Sequence, residues 1–392
     1  MMTTLTQLIE HYCPDGVEYV KLEDVFDLGS GYTPSRKNTQ YWENGSIPWF
    51  RMDDIRTNGR ILSHSLEKIT PEAVKGGRLF PGNSVMLSTS ATIGEHAIVT
   101  TDFMCNQRFH VLVLRETFTE RVRPRFVYYV GFSLGEYCRE HVNEGNFKTV
   151  SSAAFKEFPF PLPPREVQDA VVERLDAFDA LVESLDSEIV LREKRFEYFR
   201  EQLLNFDESD GVEYMKLEDV AEYSSLRVDS VDLNADTFVG VDNLLKDRGG
   251  KTLSEHGPNT KRSTKYQVGD VLLGNIRPYL RKIWHATNEG GCSGDVLAIH
   301  PSKVYSRFLY WTLFGDEFWH YNNNFSRGGK MPRGDKSAIL AYQFPLPSLA
   351  VQQDIADKLD TMQALIDNLK YERDLRKAQF EYYREKLLTF NS

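Results

Sequence analysis

The sequence predicts an α+β protein: two mixed α/β globular segments separated by two long helices that pack as an antiparallel coiled coil, with a pseudo-twofold internal repeat. Three observations carry this. Residues 160–206 return as 344–390 without a gap at an offset of 184, with 22 identities over 47 positions, FEYFREQLLNF at 196–206 answering FEYYREKLLTF at 380–390. A second echo sets GVEYVKLEDV at 16–25 against GVEYMKLEDV at 211–220. Between these echoes lie two segments that barely resemble one another. Repeats are sought first because they fix the architecture. Here they divide the chain into 1–157, a first globular domain; 158–206, a central helical region; 207–343, a second globular domain; and 344–392, a C-terminal helical region.

Each repeated block reads as one long helix. Val171, Leu175, Phe178, Val182, Leu185, Ile189, Arg192, Phe196, Phe199 and Leu203 alternate steps of four and three. The second copy does the same through Ile355, Leu359, Met362, Ile366, Leu369, Arg373, Arg376, Phe380, Tyr383 and Leu387. A heptad seam of that length points to coiled-coil packing. Both copies follow a proline-rich lead, PFPLPPRE and FPLPSLA, which stops a strand and pre-sets the chain for a helix start. A helix from Val167 to Leu204 has an apolar stripe that needs a partner. The other copy is the obvious one; a seam recruiting another protein is the alternative.

The inserts show strand-like runs bounded by Gly, Pro or Asn at 46–51, 83–88, 110–114 and 270–273, and aromatic-rich helical patches at 124–134 and 306–314. Val271-Leu272-Leu273 follows Gly269 as Val85-Met86-Leu87 follows Gly82, so the two inserts are expected to share a fold despite low identity.

Composition bounds the function classes. The four cysteines are isolated, with no CxxC pair, which argues against a zinc ribbon or disulfide framework. The first residues lack a signal-peptide pattern and no apolar run reaches membrane-spanning length, so a cytoplasmic protein is expected, with no membrane partner. The net charge of −10 looks unsuited to nucleic acid. However, residues 158–206 hold 6 basic and 11 acidic groups, half of the excess, while 1–157 and 207–343 each hold 17 basic and 19 acidic. The inserts are thus near balance, and a balanced domain can present a basic face, though with modest phosphate contacts if it acts alone.

The doubled frame resembles the specificity subunits of type I restriction–modification systems. The likeness rests on the DGVEY-x-KLEDV echo, on FPLP-x-x-x-VQ with Val167-Gln168 and Val351-Gln352, and on the FEY-x-RE-x-LL helix ends. It covers essentially the whole chain. The inserts match through weaker elements such as Ile47-Pro48-Trp49 and Arg277-Pro278-Tyr279-Leu280. The resemblance implies two target-recognition domains reading double-stranded DNA between conserved helical regions. It also implies two modification (methyltransferase) subunits and two restriction subunits as partners. S-adenosylmethionine, ATP and Mg²⁺ would be bound by those partners and no cofactor by this chain.

Motifs of catalysis do not accompany it. Asp27-Leu28-Gly29-Ser30-Gly31 superficially suggests an S-adenosylmethionine loop. No Asn-Pro-Pro-aromatic or Asp-Pro-Pro-aromatic motif follows, so a tight turn using glycine's freedom is the plainer expectation. Gly328-Gly329-Lys330 lacks the flanking residues of a P-loop and reads as a flexible loop. There is no HExxH, no GxSxG and no clustered carboxylate set, so neither a catalytic residue nor a metal site is expected.

Function therefore falls to binding. Reading duplex DNA takes Arg, Lys, Asn and Gln at base edges beside groups that hold phosphates. The first insert offers Arg36, Lys37 and Asn38 after Thr33-Pro34-Ser35; Ser90 and Thr92 in a polar loop; Asn106, Gln107 and Arg108; and Asn146 with Lys148. The second offers Lys261, Arg262 and Lys265; Asn275 with Arg277; Arg281; and Arg327, Lys330 and Arg333. The competing reading is a coiled-coil scaffold that ties partners together without reading sequence, but a symmetric scaffold needs no two different heads. One insert at each end of the antiparallel pair would make the target asymmetric and bipartite, with two unlike half-sites and a fixed spacer. By the resemblance, each half-site would hold an adenine methylated by a partner. The repeated blocks are the expected docking place for the modification subunits, since a common partner needs a common surface. Phe196 and Phe380 are expected in the helix seam.

Overall fold

The computed structural model describes residues 5–143, 148–207 and 210–390. Its framework is two helices of equal length, the central helix Arg165–Leu204 and the C-terminal helix Leu349–Leu388, 40 residues each and so about 60 Å long. The central helix starts two residues before the expected Val167, because the carbonyl of Pro164 already accepts from the N–H groups of Val167 and Gln168 at 3.0 and 3.1 Å. The chain forms two compact units, residues 1–184 with 373–392, and residues 185–372. Each unit holds the start of one long helix and the end of the other.

In the first unit the KLEDV echo contributes the strand Tyr19–Lys21, antiparallel to Pro159–Pro161 of the proline-rich lead. A five-stranded sheet follows in the order 26–30, 109–114, 84–88, 96–99, 61–62, antiparallel except for the last pair. A three-stranded sheet (67–69, 47–50, 104–105) flanks it. The helix Pro124–Glu140 lays Phe126, Val127, Tyr129, Val130 and Leu134 into one core with Val85, Leu87 and Leu112 of the sheet and Val171 and Leu175 of the central helix. Leu388 and Phe390 belong to the same core, and Phe178 stacks on Tyr383 with centroids 5.3 Å apart. Start therefore lies beside end, the antiparallel arrangement.

The second unit repeats the plan. Glu213–Lys216 pairs antiparallel with Gln343–Leu346, and a four-stranded antiparallel sheet runs 221–223, 296–301, 271–274, 283–285, the same order as in the first unit. A second sheet (227–229, 262–266, 290–292, 238–239) takes the flanking place. The helix Ser306–Phe314 supplies Phe308, Leu309, Trp311 and Leu313 to a core with Ile355, Leu359 and Ile366 of the C-terminal helix. Lys370 pairs with Glu193 at 2.7 Å, while Phe199 and Leu203 border Met362 and Lys358, so here too the helices run antiparallel. The expected common fold of the inserts is observed.

The same side chains fasten both units. Gln168, fully buried, donates through Nε2 to Arg121 O and Pro163 O, and its Oε1 accepts from Arg123 N–H. Gln352 donates to Pro347 O and accepts from Tyr305 N–H. Each glutamine thus ties a long helix to its proline lead and to the residue capping the aromatic helix. About two turns onward, Arg125 and Tyr129 meet Asp176, as Arg307 and Trp311 meet Asp360. The other long helix reaches the aromatic helix too: Phe380 packs on Tyr129 and Phe132, Phe196 on Trp311 and Phe314.

Two expectations change. Phe196 and Phe380, expected in the helix seam, also pack on the aromatic helices of the inserts, with Phe196 in one core with Ile355, Leu359 and Ile366 of the partner helix. Residues Asp27–Ser30 are strand, not a turn: Gly29 lies in Phe26–Ser30. A Cβ on Gly29 would come within 2.2 Å of the Phe80 ring, so glycine serves close approach there rather than a positive φ.

Replacing Gln168 or Gln352 with Ala strands two or three polar groups. Each stranded group costs about 1–3 kcal/mol, so a marked fall in melting temperature is expected; an unchanged melting temperature would remove the glutamines from this role. His96 supplies a second test. It is buried between Tyr128 and Phe132 with Nε2 3.0 Å from Tyr128 O, and burial lowers its pKa to about 3. The unfolded chain, titrating near 6.5, takes up a proton that the folded unit refuses. Stability present above about pH 6.5 is thus lost progressively as pH falls toward 3. Denaturant titrations of wild type and His96→Gln should diverge in pH slope across that window, and parallel slopes would refute it.

Candidate nucleic-acid interface

The polar candidates of the first insert gather where the strands of the five-stranded sheet end in loops. The loop 88–94 follows the inner strand Ser84–Ser88. Thr89 N–H donates to Arg108 O at 2.9 Å, which fastens this loop to the turn 106–108. Val150 N–H donates to Thr89 O at 3.1 Å, and Ser90 bridges Thr149, which draws in Lys148. Thr33 Oγ1 donates to Gln107 Oε1 at 2.6 Å, and Asn106 Oδ1 accepts from Arg108 N–H. Ser90, Thr92, Asn106, Gln107, Arg108 and Lys148 therefore share one edge. Asn146 lies outside the described residues.

Arg36 is committed elsewhere. Its guanidinium makes two 2.8 Å bonds to Glu67 and covers Trp42 at 3.5 Å. That hydrogen bonding holds the Glu67 carboxyl below its ordinary range. Lys37 beside it is exposed without an ion pair to a described residue, and Asn38 precedes a short 3₁₀ turn.

The second unit builds the same edge from different side chains. Asn275 N–H donates to Asp295 O at 2.8 Å, and Gly334 N–H donates to Asn275 O at 3.2 Å. Ile276 bridges Arg333, Arg327 and Arg333 exchange backbone bonds of 2.9 and 2.8 Å, and Arg277 N–H donates to Pro332 O at 2.7 Å. Asn275, Arg277, Arg327, Lys330 and Arg333 thereby come together. Gly334 must be glycine: a Cβ there would lie 2.5 and 2.8 Å from the side-chain oxygens of Asn322 and Asn275. Arg333 pairs with Asp295 at 2.9 Å and Arg327 lies 3.7 Å from Asp335, whereas Arg277 and Lys330 are exposed with no ion pair to a described residue.

The remaining candidates sit apart. Arg281 is held by Asp247 at 2.7 Å and Asp316 at 3.2 Å, on the side of the insert nearer the central helix. Lys261 precedes and Arg262 and Lys265 occupy the strand Arg262–Tyr266 of the flanking sheet, Arg262 with Asp229 at 3.2 Å and Lys265 with Glu289 at 3.1 Å. Sequence reasoning missed Thr149, Asp295, Asn322 and Gly334, which shape the edge without standing out. Aligning the inserts on Val85-Met86-Leu87 and Val271-Leu272-Leu273 is the signal that reaches the loop.

Ala91 and Arg277 hold φ of 61° and 53°, a left-handed conformation that costs a side-chain-bearing residue roughly 1–2 kcal/mol. Such strain persists where the surroundings over-determine it and clusters at functional sites. The thiols offer no reactive group: all four cysteines are buried, and burial pushes Cys138 and Cys292 up to about 12. Among the described residues no group of three or more His, Cys, Asp or Glu is arranged to hold a metal, and no helix is long and apolar enough to cross a membrane.

This doubled arrangement has relatives. The chain is 46% identical over 205 residues to the specificity subunit of the type I restriction enzyme EcoprrI of Escherichia coli, a match covering 50% of this chain and 51% of that protein, and so about half its length. In fold it is similar to the type I restriction-modification S subunit of M. genitalium, with a TM-score of 0.56, 16% identity and 96% of each chain covered. It is also similar in fold to a chain from a structure on complex assembly and conformational transition of the type I R-M system, with a TM-score of 0.60, 16% identity, and 96% and 97% covered. The profile of the type I restriction modification DNA specificity domain matches residues 14–190 and again 209–375, so the chain belongs to that family and carries its domain twice.

Proposed function

We propose that the chain is the non-catalytic DNA-reading subunit of a type I restriction–modification complex. It would read an asymmetric bipartite site, one half-site per recognition domain, and direct adenine methylation or cleavage by partner subunits. The observation that carries this reading is the pair of loop edges: the same backbone connections in both units, with Ser90, Thr92, Gln107 and Arg108 on one and Asn275, Arg277, Arg327 and Lys330 on the other. Polar side chains read base edges while cations hold phosphates. Few free cations per edge imply modest affinity for each unit alone and a need for partner contacts.

The repeated frame serves the partners. Two modification subunits would dock on its two equivalent faces, which expose Phe199 and Tyr198 in one copy and Tyr382 and Tyr383 in the other. Two restriction subunits would join them. S-adenosylmethionine belongs to the modification subunits and ATP with Mg²⁺ to the restriction subunits. The scaffold reading is disfavoured because a scaffold has no use for two chemically different edges on one frame.

Methylome sequencing of cells with and without the gene tests the reading: a bipartite adenine-methylated motif should vanish with the gene, and its persistence would defeat the proposal. Exchanging residues 26–157 for the insert of a relative should alter one half-site and leave the other and the spacer untouched. Lengthening both long helices by a heptad should alter the spacer alone. If the insert exchange changed both half-sites, one domain per half-site would be wrong.

A further inference from the structure

We propose that the apex of the loop after the inner strand is the base-reading position of each unit, and that in the second unit Arg277 reads a guanine. This rests on the DNA-reading function proposed above and names the residue that would set one letter of the target.

The two apices are equivalent by backbone, not by sequence. Thr89 and Asn275 each donate N–H to the turn leading into the neighbouring strand, at Arg108 O and Asp295 O, and each accepts through its carbonyl from the segment before the following short helix, from Val150 and Gly334. The next residue of each bridges that segment, Ser90 to Thr149 and Ile276 to Arg333. One position further stand Ala91 and Arg277, both exposed and both left-handed. Glycine would take that conformation without strain.

Arg277 is fixed where it stands. Its N–H is bonded to Pro332 O at 2.7 Å and its carbonyl to Leu280 N–H at 2.8 Å, and Pro278 locks the next φ. Its guanidinium, however, has no ion pair to a described residue, whereas Arg36, Arg262, Arg281 and Arg333 are bound to carboxylates. A pinned backbone with a free planar fork of donors suits bidentate recognition of guanine O6 and N7 in the major groove. Arg327 and Lys330 on the adjoining loop would hold phosphates. At the same apex of the first unit Ala91 has no donor. It can offer only apolar contact, such as to a thymine methyl, and hydrogen bonding there falls to Ser90 and Thr92.

The test uses the full chain in its complex with the modification subunits, with Arg277→Gly and Arg277→Lys read by methylome sequencing and by binding to a library of duplexes. Glycine fits the φ, so thermal stability should hold or rise. One G·C position of one half-site should relax, with discrimination falling about 5- to 100-fold. The other half-site and the spacer should stay unchanged. Lysine keeps the charge but not the fork, and should relax the same letter while preserving the salt dependence of binding. Uniformly weaker binding with no letter relaxed would make Arg277 a phosphate contact and overturn the assignment, as would unchanged specificity in both variants. Neither result touches the DNA-reading function, which falls only if the wild-type complex shows no bipartite site.

Discussion

The structure hangs on a clamp made twice. An aromatic helix from each insert is held by the start of one long helix and by the end of the other. The polar half of the clamp is the buried glutamine with the aspartate about two turns on, Gln168 with Asp176 and Gln352 with Asp360. The apolar half is the phenylalanine near the opposite helix end, Phe380 or Phe196. The polar half fixes direction and register, because a buried amide with unmatched partners is costly. The apolar half supplies burial that is indifferent to small changes of angle. The clamp is complete only with both long helices, which explains why the chain repeats the helix and not only the insert.

With the clamp constant, the far edge of each sheet is free to vary. Thr89 and Asn275 differ in side chain but make the same two backbone bonds, so the loop keeps its path whatever its side chains are. Because the backbone bears the geometry, specificity can change through side chains alone. The left-handed apices at Ala91 and Arg277 show that this path is imposed on the sequence rather than chosen by it.

Much of the frame was legible in the sequence. Heptad spacing, the proline leads and the gapless repeat located both long helices to within a few residues, since a buried stripe leaves a periodic trace. What the stripe packs against left none. Phe196 reads as a seam residue, and only the structure sets it on Trp311 and Phe314. Glycine gave a misleading signal at Gly29, where close approach by Phe80 imitates a turn. The loop edge was half legible. Its polar residues drew notice by type, yet type could not separate Arg277, which has no ion pair to a described residue, from Arg281, which is held by two aspartates. Ion pairing between residues distant in sequence decides that, and periodicity does not report it.

The proposed DNA-reading role turns on which residues contact the duplex. A structure of the proposed complex on a duplex carrying the proposed bipartite motif is predicted to seat the loops 88–94 and 275–281 in major grooves, with the repeated helices free of base contacts. Base contacts made chiefly by the long helices, or by the strand Arg262–Tyr266, would contradict it.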